Sequence, residues 1–216
     1  MALYNPGGDA KPIVKFDAKE GKLKIDDGVI DLKKFKAIFD LEGLELGYCR
    51  FNEGAAPDWR MAPATNEQAV KALQRPEGSE ARPYKWGFRL NLKLTKELAN
   101  GAPDIREFAS NSYVTLNGID QLHDDWMAEK NNHPGKLPVV TGKSMTTIPG
   151  KFGRLYQPVF MIAGWIDAPK DLIAARNGNG DKPKAKGAPA PGGENQAEPE
   201  ALEPVDFSED GEDFAT

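Results

Sequence analysis

Cysteine occurs once in this chain of 216 residues, at Cys49, and histidine twice, at His123 and His133. One thiol excludes an intrachain disulfide and any cysteine-rich zinc centre. No apolar run approaches the ~18 residues that cross a bilayer. The first eight residues, MALYNPGG, carry neither a basic n-region nor an apolar h-region, so no secretory signal is expected. These shortages point to a reducing, cytoplasmic setting away from membranes. They also leave little for catalysis. There is no serine nucleophile elbow and no glycosidase-like carboxylate pair. His123 and Asp124 would point from different faces of a helix, and His133 follows the helix, so a metal centre there is not expected. The expectation is a non-enzyme without metal or cofactor.

Lys and Arg are absent from Glu194 to Thr216, a stretch that holds nine carboxylates. The whole chain carries a net charge of -5, so residues 1–193 stand at +4, with 28 basic against 24 acidic residues. A mildly basic body is thus joined to a strongly anionic tip. Two rings, Phe207 and Phe214, are embedded among Asp206, Glu209, Asp210, Glu212 and Asp213. A tail that only solvates has no use for large aromatics, so these residues are candidates for gripping a basic partner. Between body and tip, residues 176–193 are dominated by Gly, Pro, Ala and Lys. Such a segment cannot bury enough surface to offset its ordering entropy and reads as a flexible linker, with a disordered acidic tail beyond it.

The body, residues 1–175, reads as mostly β. Short strand-like runs occur at 13–16, 23–25 and 29–32, and Phe35 to Phe51 suggests two strands or one broken near Gly43. Residues 52–64, with two Pro and one Gly, read as a loop carrying Trp59 and Arg60. Thr65-Asn66-Glu67-Gln68 fits a capping box that opens a short helix to about Leu73. From Tyr84 to Leu94 every even position is aromatic or Leu, and the odd positions are Lys85, Gly87, Arg89, Asn91 and Lys93. Strand side chains alternate between faces, so one face is greasy and the other cationic. Lys85, Arg89 and Lys93 would form a solvated row ~26 Å long at ~3.3 Å per residue.

Residues 105–116 predict one or two strands, and 117–130 a second short helix with Ile119, Leu122 and Trp126 on one face. Leu137 to Val140 and Arg154 to Ile166 read as strands around a loop at 141–153. Within the latter, Val159 to Ile166 is the most apolar run and predicts a buried strand. Thr141-Gly142-Lys143-Ser144 ends like a phosphate loop, but Leu137 stands where the pattern needs Gly, and no helix is expected to follow. Seven or eight strands close most naturally as a barrel or a sandwich.

Cations recur beside rings: Arg50-Phe51, Trp59-Arg60, Lys85-Trp86, Phe88-Arg89, and Lys151-Phe152-Gly153-Arg154-Leu155-Tyr156. Unpaired nucleic acid needs both, cations along its phosphates and flat rings under its bases, the latter for ~1–3 kcal/mol each. Tyr84, Trp86 and Phe88 share a face with three leucines and can be core or platform. Candidate contacts with a strand are therefore Arg50, Arg60, Lys85, Arg89, Lys93, Lys143, Lys151 and Arg154 for phosphates. Trp59, Phe152 and Tyr156 are the candidates for bases.

A β-rich body, a Gly/Pro/Ala linker at 177–193 and an acidic, Phe-bearing tip at 194–216 resemble single-stranded DNA-binding proteins of the OB-fold kind, especially phage-encoded ones. The resemblance implies an OB-fold-like barrel, here elaborated with two short helices and long loops. It implies coating of single-stranded DNA in replication or recombination, and an acidic tip that recruits partner proteins and competes with DNA for the groove. It leaves room for a homodimer. Two residues, Ala215 and Thr216, follow the last Phe. Two other classes compete: a viral structural or assembly protein with an acidic interaction tail, and a metal-dependent nucleic-acid enzyme using Asp120, Asp124 and Asp125.

Overall fold

A computed structural model describes residues 13–25, 28–51, 56–78, 82–150 and 153–177. The ten strands are β1 (Ile13–Asp17), β2 (Lys22–Ile25), β3 (Gly28–Ile30), β4 (Lys36–Phe39), β5 (Glu45–Arg50), β6 (Asp58–Pro63), β7 (Lys85–Leu94), β8 (Ile105–Ser110), β9 (Lys136–Gly150) and β10 (Gly153–Asp167). Four helices interrupt them: α1 (Glu67–Ala72), α2 (Lys96–Ala99), α3 (Tyr113–Glu129) and α4 (Lys170–Asn177). The chain is mostly β, an OB-like half-barrel, as expected. Two short helices were expected; α2 and α4 are additional.

All strands belong to one sheet, in the order β10-β9-β4-β7-β8-β1-β2-β3, with the β5–β6 hairpin attached along the first half of β7. Pairing is antiparallel except between β1 and β8. The sheet curls. In a flat sheet Phe108 of β8 and Phe160 of β10, four strands apart, would be separated by ~19 Å at ~4.8 Å per strand. Their ring centroids are 6.2 Å apart, because both face the same interior. Phe35 packs edge-on against Phe160, and Phe39 edge-on against Phe108 and tilted against Phe160. At the curl's far side the Tyr156 amide donates to Ala18 O at 2.7 Å, bringing β10 against the β1–β2 turn.

α3 lies along β10. Ile119, Leu122 and Trp126 are all buried on the helix face their spacing predicts. Gly118 permits the approach, since a Cβ there would collide with the Pro158 carbonyl oxygen. The helix starts at Tyr113, so the span read as 105–116 strand splits into β8 and the first turn of α3. At α1 the cap is Asn66, whose side chain accepts from the Ala69 amide at 3.0 Å. Around Gly43 the chain forms a short 3-10 turn, Leu41–Gly43, between β4 and β5.

Three expectations need correction. The predicted 52–64 loop contains β6, which pairs with β5 along its whole length. The predicted 141–153 loop is strand: β9 and β10 form a hairpin registered from Lys136↔Asp167 to Gly150↔Gly153, bent by irregularities at Lys143 and Ala163. The apolar run Val159 to Ile166 is not a buried strand. Only Phe160 is buried, Met161 and Ala163 are exposed, and Trp165 is half-covered by the stacked His133 ring 4.3 Å away. β10 sits at the end of the sheet order, so its apolar residues meet fewer neighbours than those of a central strand. α4 runs to Asn177, two residues into the predicted 176–193 linker; the rest of the linker and the tail lie outside the described residues. No helix among the described residues is long and apolar enough to cross a membrane.

Candidate nucleic-acid interface

β7 is flanked by β4, β5 and β8, and this central place decides what its two faces can do. On the even face Phe88, Leu90, Leu92 and Leu94 are all buried in the core, as is Tyr84 just ahead of the strand. Trp86 alone among them is half-exposed. The odd face is the correction. Lys93 is only 3% exposed, its Nζ 2.6 Å from Asp171 of α4 and 3.4 Å from Asp104. Arg89 is bonded to Glu45, and its guanidinium lies 5.4 Å from the Trp59 ring centroid. Of the predicted solvated row only Lys85 is exposed. A buried cation needs a fixed partner, and α4, a helix additional to the two expected, supplies it.

Three strands, β6, β5 and β7, present a mixed patch on the side shared with Phe88. Directly opposed residues on neighbouring strands share a face. Arg60 opposes Tyr48 and Tyr48 opposes Trp86, giving one row across the hairpin. Two residues along, Asp58 opposes Arg50, and Tyr84 lies at the entry to β7. Tyr48 and Trp86 meet edge-to-face with centroids 5.1 Å apart, and both are half-buried. The geometry leaves ring surface beside an exposed guanidinium, Arg60.

The neighbouring row is ionic. Asp58 accepts a hydrogen bond from the Tyr84 hydroxyl, which holds that phenol above its ordinary value. Arg50 Nη2 reaches the same carboxylate at 3.4 Å, and Arg60 Nη1 lies 3.2 Å from its other oxygen. Arg50 also covers the Tyr84 ring at 4.7 Å, while its buried Nε has no hydrogen-bond acceptor among the described residues.

The other predicted contacts are dispersed. Trp59 opposes Cys49, which in turn opposes Lys85, and this puts Trp59 on the opposite face from Arg60, edge-on to Phe51 at 5.5 Å. Lys143 and Arg154 are exposed on the β9–β10 hairpin. Tyr156 is half-buried against the core and the β1–β2 turn. Lys151, Phe152 and every tail residue from Asp206 to Phe214 lie outside the described residues. Arg50 and Arg60 are therefore brought together, and Lys85, Arg89 and Lys93 are not joined to them. Sequence spacing does not single out Tyr48, and it leaves Trp86 open between core and platform. Their signal is the pairing of β5 with β7, visible in the sequence only once residues 45–50 and 85–89 are recognised as neighbouring strands.

Asp120, Asp124 and Asp125 are exposed along α3. Among the described residues no group of three or more His, Cys, Asp or Glu gathers in a way that could hold a metal ion. Cys49 is fully buried, and burial pushes its thiol up to about 11. No protein-family model, curated protein or solved structure matches the chain.

Proposed function

We propose that this chain is a non-enzymatic single-stranded DNA-binding protein of the phage type, coating single strands during replication or recombination in the host cytoplasm. One observation carries the reading: the Arg60–Tyr48–Trp86 row, with Arg50 on the next row, sets half-exposed rings beside guanidinium groups on a curled sheet. Stacking on rings is indifferent to sequence because every base has a flat face, and cations follow the phosphates. Lys85, Lys143 and Arg154 extend the positive surface around the body. The acidic tail then serves as the handle for partner proteins, with Phe207 and Phe214 as its apolar anchors.

The deciding measurement is tryptophan fluorescence of the full chain titrated with single-stranded and duplex DNA at two salt concentrations. Expected is quenching by the single strand that weakens steeply with salt, because neutralised phosphates release counterions. Unquenched tryptophan with no salt-dependent complex would sink the reading. A chain truncated after Asn179 keeps α4 whole and is expected to bind DNA more tightly and to lose partner recruitment. Equal affinity would remove the tail's competing role.

An assembly protein of a virus is the second reading, favoured by the β9–β10 hairpin, where Lys143 to Thr147 are exposed. Such a ribbon can clasp a neighbouring subunit. That reading expects a fixed oligomer and no affinity for oligonucleotides.

A further inference from the structure

Asp58 sits where a phosphate would be wanted. On one carboxylate converge the Tyr84 hydroxyl, Arg50 Nη2 and Arg60 Nη1. A carboxylate has about four acceptor positions, whereas two guanidinium groups bring ten N–H donors. Tyr84 takes one of those positions, so Asp58 cannot satisfy both arginines. The shortfall is visible. Arg50 holds the carboxylate only at 3.4 Å, its Nε has no acceptor among the described residues, and Arg60 turns Nη1 to the Trp59 carbonyl at 2.9 Å. The side chains of Arg50, Asp58 and Arg60 are 28%, 27% and 55% exposed, so an arriving anion can reach them.

We propose that Asp58 is a built-in competitor of the DNA phosphate, holding Arg50 and Arg60 until a strand displaces it and thereby keeping affinity below what the two arginines can deliver. The inference rests on the single-stranded DNA reading. The Tyr84 hydroxyl keeps Asp58 in place as the exchange occurs, since it occupies an oxygen without adding positive charge. The two non-bridging oxygens of a backbone phosphate suit the planar donor fork of a guanidinium, and unlike Asp58 they are not already engaged by the Tyr84 hydroxyl. Next to it, the Tyr48–Trp86 pair is placed to receive the base of the same nucleotide.

The test compares full-length wild type, Asp58→Asn, Arg50→Ala/Arg60→Ala, and the triple variant, titrated with oligothymidylate across a salt series. Asp125→Asn, on the exposed side of α3, controls for the same change of charge elsewhere. Asp58→Asn is expected to bind at least about threefold tighter at about 50 mM salt, with a salt slope steeper by roughly 0.7 for each arginine freed onto a phosphate. Asp125→Asn should leave both quantities within error of wild type. In the triple variant the gain should vanish. Wild-type binding with an Asp58→Asn affinity equal to or below wild type overturns the proposal while leaving the DNA reading intact. A gain that persists without both arginines, or that Asp125→Asn reproduces, overturns it too. Wild type failing to bind at any salt would remove the underlying reading itself. If Asp58→Asn does not fold, the single variants Arg50→Ala and Arg60→Ala decide: each must lower the slope, and two unchanged slopes exclude both arginines from the phosphate path.

Discussion

Arg176, in the last turn of α4, donates from Nε to Asp40 Oδ2 at 2.8 Å, across 136 positions of sequence. Asp40 is completely buried, and its Oδ1 accepts from Arg176 Nη2 and from the Gly43 amide, the latter at 3.1 Å. At the other end of the same helix Asp171 holds buried Lys93. The helix is therefore fastened at both ends by ion pairs of opposite polarity, each charge also matching the helix dipole at its own end.

Arg176→Ala should accordingly strand a buried carboxylate. Removing one partner of a buried pair costs about 3–5 kcal/mol; the Gly43 amide and the 27% exposure of the Arg176 side chain lower this to about 2–3 kcal/mol. Urea unfolding measures it, and an unchanged midpoint would contradict the account. A chain cut after Ala175 loses the same interaction, which makes it a poor probe of what the tail does.

Gly118→Ala sets two effects against each other. Alanine is favoured over glycine in a helix interior by about 1 kcal/mol. The new methyl group, however, would collide with the Pro158 backbone, and forced overpacking costs about 1–3 kcal/mol. A net loss in thermal stability is expected. A stabilised variant would mean that α3 does not rest on β10 at this point.

Among the tryptophans, Trp86 and Trp59 should behave differently. Trp86→Ala removes a half-exposed ring of the Tyr48 pair and is expected to weaken binding of a single strand by about 1–3 kcal/mol, roughly five- to hundredfold. Trp59 lies on the opposite face over Arg89, so Trp59→Ala should change affinity far less and stability more. Equal losses of affinity would show that the strand wraps both faces of the hairpin.

Cys49 supplies a pH signature. Its folded thiol is raised from 9.0 to about 11 by burial, so the folded state retains its proton where the unfolded state loses it. The unfolded chain then binds fewer protons above pH ~9, and stability falls from there until the folded thiol also ionises near pH ~11. The full difference is on the order of 2–3 kcal/mol. Urea midpoints of wild type and Cys49→Ala, compared at the two ends of this window, isolate it. Parallel pH dependences would show that the thiol is not shielded.

The strand β7 was legible because eleven residues alternate without exception, and so was the buried face of α3. What failed was neighbourhood. Lys93 reads as a surface cation until one knows that Asp171, far along the chain, is folded against it. Val159 to Ile166 reads as core because hydropathy does not tell a central strand from one at the end of a sheet. Trp59 and Arg60 read as loop residues because Pro57 and Pro63 flank them, although the five residues between the prolines pair with β5. Tyr48 attracted no notice for the same reason: its importance comes from Trp86 opposite and not from its own surroundings. Local pattern reveals an element, whereas a site assembled from three strands depends on pairings that no single segment encodes.

The lone parallel pairing among the described residues, β1 with β8, has a consequence for how the chain assembles. Ile13 opposes Glu107 and Val14 opposes Phe108, so the early strand has its sheet partner 94 residues later. At ~5–20 residues per second of synthesis that partner emerges ~5–20 s after β1 does. During that interval the β1–β3 meander, too small to hold a core alone, waits with Val14 and Leu23 uncovered. Docking of the meander thus waits for β8, and closure of the half-barrel waits longer still, because Ala37 of β4 is opposed by Val140 of β9, 103 residues later; this interval is where misfolding would compete.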